Sequence, residues 1–172
     1  MVLAKTPRLV IRRSQKYVTL QIIEALPQGD HTLLATTSKK LSEYGWKSPS
    51  GNIPAAYLTG VMIGYQAQSK GISEVIPDIG LRRASPGSRV FAVIKGAQDA
   101  GLNVPCGKMM PDDLRITGQH IASYAETLMQ TAPIEYEQRF SQYISAGIKP
   151  QELPTQVEKV KAKIIQQSEK ED

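Results

Sequence analysis

Residues 8–23 read Arg8-Leu9-Val10-Ile11-Arg12-Arg13-Ser14-Gln15-Lys16-Tyr17-Val18-Thr19-Leu20-Gln21-Ile22-Ile23. Two β-branched runs alternate with polar residues on either side of a Ser-Gln break, which is the pattern of a β-hairpin. A two-residue connection at Ser14-Gln15 pairs Arg12 with Tyr17, Val10 with Thr19 and Arg8 with Gln21. The side chains then separate by face. Leu9, Ile11, Val18, Leu20 and Ile22 make a dry side, while Arg8, Val10, Arg12, Tyr17, Thr19 and Gln21 make a basic, hydrogen-bonding side. A slip of one residue would mix the two sets, so the pattern decides which face meets the core.

Working outward, Pro27-Gln28-Gly29-Asp30 is a turn. A third strand follows over Thr32–Thr37, with Leu33 and Ala35 inward, and completes an antiparallel meander. The loop from Ser38 to Pro54 carries Lys39, Lys40 and Lys47 around Tyr44-Gly45-Trp46. A helix is expected from Pro54 to Lys70, with Pro54 in its first turn and Gly71 just past its end. Its small residues Ala55, Ala56, Gly60 and Gly64 allow close packing on a sheet. Glu74–Ile79 reads as a fourth strand, and Pro77 assigns it to an edge or a bulge. The turn Arg82–Gly87 leads to a second helix over Ser88–Ala100, stopped by Gly101. The order is βββαβα. A right-handed crossover places the fourth strand beside the first and both helices over one face, leaving the basic side of the hairpin open.

Beyond Pro105 the pattern is helical. Asp112-Asp113 opens a helix to Gln130, with Ile121, Tyr124, Ala125 and Leu128 in one stripe. A second runs from Ile134 to Ala146, with Tyr136, Phe140, Tyr143 and Ile144 together. After Pro154, Thr155-x-x-Glu158 is a capping box opening a third, striped by Val157, Val160 and Ile164. Ser168–Asp172 is a charged, fraying tail.

The chain has 172 residues, 41% hydrophobic and 22% charged, which is enough for one folded core and unlike a disordered chain. No run approaches the ~18 apolar residues of a membrane span. Met1–Val10 lacks the apolar segment of a signal peptide. A lone Cys106 forms no internal disulfide and fits a reducing, cytoplasmic setting. The net charge of +5 is unevenly spread: residues 1–95 carry 13 Lys/Arg against 5 Asp/Glu, and the remainder 8 against 11. The first half is therefore expected to meet a polyanion. The acidic helical half is expected to pack, or to touch proteins.

Catalytic patterns are missing. His31 and His120 have no metal-ligand spacing, and there is no G-x-S-x-G elbow or Walker-type glycine loop. An RNase H-like nuclease needs several carboxylates at one strand edge, and the hairpin has none before Glu24. No enzyme activity, cofactor, metal, membrane or small-molecule substrate is expected. RNA fits better. Arg8, Arg12, Arg13 and Lys16 neutralise phosphates, Tyr17 stacks on an unpaired base, and Thr19 and Gln21 bond sugar or backbone. Lys39, Lys40 and Lys47 form a second group, and Arg82, Arg83 and Arg89 a third. Two other readings stay open: an RNase H-like RNA-processing factor, and a protein-interaction module using the helical half.

Pro54-Ala55-Ala56-Tyr57-Leu58-Thr59-Gly60, Asp78-Ile79-Gly80-Leu81, Gly87-Ser88-Arg89-Val90-Phe91-Ala92 and Lys95–Leu102 follow one another in an order and spacing that resemble a known family. It is the large-subunit ribosomal protein that binds 5S rRNA, the L-eighteen family of bacteria and archaea, called L-five in eukaryotes. Pro7–Ser14 resembles its first strand and Tyr44-Gly45-Trp46-Lys47 an archaeal-type loop. Arg139-Phe140-Ser141 and Leu153-Pro154 resemble the archaeal and eukaryotic extension. The resemblance implies an α/β (α+β) fold: a βββαβα core with a mixed sheet, of the RNase H-like type met in the translational machinery, plus a C-terminal helical extension. Residues 1–105 would be the RNA-binding core and 106–172 the extension. It implies a structural role in the large subunit of the cytoplasmic ribosome. There the protein would bind 5S rRNA through the open sheet face, anchor it to 23S rRNA in the central protuberance, and touch neighbouring ribosomal proteins. Arg8, Arg12, Arg13, Ser14, Lys16 and Tyr17 match the first RNA contacts, and Arg89 lies in a matching motif. Two departures stand out. Met1–Lys5 opens at the junction where archaeal members carry an arginine-rich arm, and Pro77 replaces an apolar residue.

Overall fold

A computed structural model describes residues 6–171. The expectations about Met1–Lys5, and about the last residue of the tail, lie outside the described residues. Four strands, β1 (Arg8–Arg13), β2 (Val18–Leu26), β3 (Gly29–Thr37) and β4 (Ile76–Asp78), form one sheet in the order β3-β2-β1-β4. The meander is antiparallel, and β4 adds to β1 in parallel. β4 is short and lies at the edge, where the missing N–H of Pro77 costs no interior ladder bond.

The two faces of the hairpin separate as the alternation requires, but its register differs. Arg12 pairs with Thr19 and Arg8 with Ile23, so the connection is the four residues Ser14–Tyr17. Ser14 closes it: its N–H donates to the Tyr17 carbonyl at 2.8 Å, and its Oγ accepts from the Tyr17 N–H at 3.0 Å. A shift of two preserves every facing, which is why the pattern alone does not distinguish the registers. Leu9, Ile11, Val18, Leu20 and Ile22 are all buried. The inward assignment of Ala35 is corrected. A bulge between Ile22 and Ile23 leaves Leu33 unpaired, so Leu34 and Thr36 face the core and Ala35 is exposed.

A 3-10 helix, Ser38–Tyr44, replaces part of the expected loop. Helix α1 (Ile53–Ser69) is capped by Asn52, whose side chain accepts from the Ala55 N–H at 2.9 Å. Helix α2 (Arg89–Asp99) starts after Ser88. α1 lies against β2 and β3, α2 against β1, and the two helices pack chiefly on each other. Gly60 and Gly64 of α1 serve that helix–helix contact. Gly60 approaches the Val93 carbonyl, and Gly96 of α2 approaches the Tyr57 carbonyl, so closely that a Cβ at either would collide with backbone.

The helical half is more broken than its periodicity predicts. Helices α3 (Asp113–Ile116) and α4 (Gln119–Thr131) are separated at Gly118, whose φ of 82° ends the first. Helices α5 (Pro133–Arg139) and α6 (Ser141–Ser145) divide the next segment. Helix α7 (Leu153–Glu171) begins two residues before the expected Thr155 cap, after a 3-10 turn at Pro150–Glu152. Tyr124 and Ile144 are exposed, while Ala122, Ala125, Leu128, Phe140 and Tyr143 are buried. Leu153, Val157, Val160 and Ile164 bury α7, which packs on α1, and all four join the same apolar core as the sheet. Tyr57 of α1 ties the layers together: its hydroxyl donates to Asp99 of α2 at 2.9 Å and accepts from Lys161 of α7 at 2.7 Å.

Candidate nucleic-acid interface

With both core helices on one side of the sheet, the other side presents Arg8, Arg12, Thr19 and Gln21. Arg12 and Thr19 are exposed, Arg8 and Gln21 half-buried. Val10 shares this side but is buried. The face is less cationic than its sequence implies. Asp78, paired with Val10 in the β1–β4 register, stands between the two arginines. Its carboxylate lies 3.3 Å from Arg12 and 3.7 Å from Arg8. Asp30, beyond the Pro27-Gln28 turn, contacts Arg8 at 2.6 Å. Burial pushes the Asp78 carboxyl upward. The Gly80 N–H and the charges of Arg12 and Arg8 outweigh it, so Asp78 stays below the usual carboxylate range. Arg8 and Arg12 are thus held in place and part-neutralised before any ligand arrives.

Tyr17 does not join Arg12 on the open face. It belongs to the connection and, with Lys16 and Lys47, lines a shallow hollow against Ser48–Asn52. Gly51 permits this approach, since a Cβ there would lie 2.6 Å from the Gln15 carbonyl oxygen. Lys39 and Lys40 stand exposed on the 3-10 helix, outside the lining of this hollow.

A third surface is more strongly cationic. The alternation that points Leu9 and Ile11 toward the helices also points Arg13 that way, but at the strand's end, past the core. There it meets Arg82 and Arg83 of the 80–87 turn, Arg89 at the start of α2, and Arg115 of α3, around a cleft of about 570 Å³. Arg82 donates to the Arg13 carbonyl at 3.3 Å, and Arg89 to the Gly51 carbonyl just before the α1 cap. The Arg89 guanidinium is pushed below its ordinary value by burial first, then by the charges of Arg13 and Arg82. Sequence reasoning missed Asp78 as the partner of Arg8 and Arg12, and Arg115 as a member of this cluster. The parallel β1–β4 pairing is what brings Asp78 there, and Arg115 arrives from the half whose net charge is negative.

The remaining polar candidates are committed elsewhere. His120 Nδ1 lies 3.2 Å from the Leu114 carbonyl, and burial raises the Cys106 thiol. No group of three or more His, Cys, Asp or Glu side chains able to hold a metal occurs among the described residues.

The family model for ribosomal large-subunit proteins 60S L5 and 50S L18 matches residues 3–77 and 65–107. The chain belongs to this family. It is 48% identical to large ribosomal subunit protein uL18 of Ignicoccus hospitalis over 167 residues, which are 96% of this chain and 82% of that protein. The uL18 proteins of Caldivirga maquilingensis and Staphylothermus marinus are 45% and 46% identical, over 100% and 97% of this chain and 84% of each relative. The chain is therefore an archaeal-type structural constituent of the large ribosomal subunit, and its place is the cytoplasmic ribosome. The alignments to these three relatives cover nearly the whole chain, the helical half included, whereas the family model ends at residue 107.

Proposed function

We propose that this chain binds 5S rRNA and attaches it to 23S rRNA in the central protuberance of the large subunit. The observation that carries the reading is the separation of surfaces. One sheet face is sealed by α1 and α2, while the other face and the adjoining end of the sheet present Arg12, Arg13, Lys16, Thr19, Arg82 and Arg83 to solvent. Fixed, exposed cations beside hydroxyl and amide groups suit a folded RNA backbone. Family membership supports the same reading. Neighbouring large-subunit proteins would meet the exposed sides of α4–α7, which carry both acidic and basic side chains.

The test is co-sedimentation of the chain with large subunits and 5S rRNA, together with titration of isolated 5S rRNA across salt. Neutralising about six phosphates gives a log–log slope of roughly −4 to −5. A flat salt response, or equal affinity for 5S rRNA and a scrambled RNA of the same length, would defeat the proposal.

A further inference from the structure

The arginine cleft and the open sheet face are different surfaces. The face is the side of β1 and β2 away from the helices. The cleft lies on the helix side, at the end of β1, between the starts of α1 and α2. Their electrostatics differ as well. Arg8 and Arg12 on the face have carboxylate partners. In the cleft, Arg13, Arg82, Arg83, Arg89 and Arg115 converge from four segments. No carboxylate lines it, and none of the five is in an ion pair among the described residues. Holding like charges together without a counter-charge is unfavourable, and that cost is relieved by an anion entering among them. Above the cleft, Leu81 is fully exposed on the same turn as Arg82 and Arg83. A leucine bare to water among guanidinium groups helps no core. Apolar side chains in such positions are used against the faces of bases.

Resting on the RNA-binding reading above, we infer that this cleft is a second RNA site, which takes a sharply turned, unpaired strand and seats Leu81 against one of its bases. A duplex presents a convex backbone that would touch only one wall of a concave cleft. A strand leaving a helix at a loop or bulge puts phosphates inside the concavity, where cations face them from several sides, and frees a base for apolar contact. Arg89 is braced on the Gly51 carbonyl and Arg82 on the Arg13 carbonyl, so two of the cations are held in place before binding.

The full chain is titrated with 5S rRNA and with a plain RNA duplex, and phosphate ethylation interference is mapped for parent and variants. Arg82 and Arg83 are both exposed, as is Leu81, so their substitution leaves the core intact, which thermal melting verifies. Combined Arg82→Gln and Arg83→Gln should lower 5S affinity by at least about tenfold and flatten the salt slope by about two. The interference lost should cluster at neighbouring phosphates of one unpaired segment, away from those lost with Arg12→Gln. Leu81→Ser should weaken 5S binding about fivefold while duplex binding holds. Losses scattered along helical RNA, losses that coincide with those of Arg12→Gln, or equal effects on both RNAs would overturn the inference. Normal 5S binding by all cleft variants would remove the cleft site alone. A parent chain that fails to prefer 5S rRNA over the duplex would remove the RNA reading and this site with it.

Discussion

Asp78 grips Arg12 twice across the β1–β4 edge, accepting at 3.3 Å through its carboxylate and at 3.1 Å through its backbone carbonyl. The turn that follows leaves no spare room: Gly80 has a φ of 65°, and a Cβ there would sit 3.1 Å from the Arg12 guanidinium. An arginine offered to a phosphate is therefore already shared with an acid of its own chain. Asp78→Asn should release Arg12 from its carboxylate, and Arg8 less because Asp30 still holds it, raise RNA affinity a few-fold at low salt and steepen the salt slope. The pair is part-exposed, so the stability change should stay within about 1 kcal/mol. Parallel melting and titration of the variant check both. Reduced affinity would mean that Asp78 orients Arg12 for the RNA rather than competing with it.

The same carboxylate sets a pH response. Its folded-state value is depressed, so its contribution to stability is present above the unfolded value near 4 and is lost as pH falls through the folded value. Stability should be insensitive to this group between pH 6 and 8. Below pH 4 the parent should lose more stability than Asp78→Asn. Denaturant midpoints at pH 7 and pH 3 measure the difference.

The hairpin faces should separate binding from folding. Leu20 is fully buried beneath the helices, so Leu20→Ala should cost ~2–5 kcal/mol of stability. Its RNA affinity should return to the parent's once the folded fraction is counted. Arg12→Ala removes an exposed cation of the open face and should flatten the salt slope by about one with little change in melting. Tyr17→Ala should cost ~1–3 kcal/mol of binding where a base is unpaired. Melting and titration on the three variants decide the assignment. A large drop in melting for Arg12→Ala with none for Leu20→Ala would reverse the faces.

Those faces were legible in the sequence because strand alternation has a period of two, and Leu9, Ile11, Val18, Leu20 and Ile22 obey it. The register was not, because a shift of two leaves that signal unchanged, and the four-residue turn closed by Ser14 has no Gly to announce it. The bulge at Leu33 was hidden for the same reason: Leu33 and Leu34 are both apolar, and either could point inward. The helical half misled more, since the apolar spacing continues through Gly118, where the backbone does not. The Asp78–Arg12 pair spans 66 positions and exists only because β4 adds beside β1. Arg115 in the arginine cleft also depends on tertiary placement that no local pattern encodes.

Gly96→Ala should destabilise the protein although it improves helix propensity. Alanine gains about 1 kcal/mol in an isolated helix. Here its Cβ would meet the Tyr57 carbonyl and the Val61 nitrogen of α1, and backbone cannot swing aside as a side chain can. Overpacking of this kind costs typically 1–3 kcal/mol, so the net change should be a loss, with α1 and α2 forced apart. Urea unfolding checks it, and an unchanged or raised midpoint would show that the two helices are free to separate.

Helix α7 should matter to folding and not to RNA recognition. Removing residues 150–172 would be a poor test, because it strips Leu153, Val157, Val160 and Ile164 from the shared core and removes Lys161 from Tyr57. A single truncation keeps the surface intact. Ile164 is buried, so Ile164→Ala should cost ~2–5 kcal/mol. Because that core is continuous with the sheet, the loss should appear as one lowered transition for the whole chain rather than as early melting of the helical half. The affinity of the folded fraction for 5S rRNA should stay within a few-fold of the parent, since the cations proposed to meet phosphate lie at the opposite layer and at the cleft. A hundredfold loss in the folded fraction would place α7 in the RNA interface. Two resolved transitions would instead make the helices a separately folding unit.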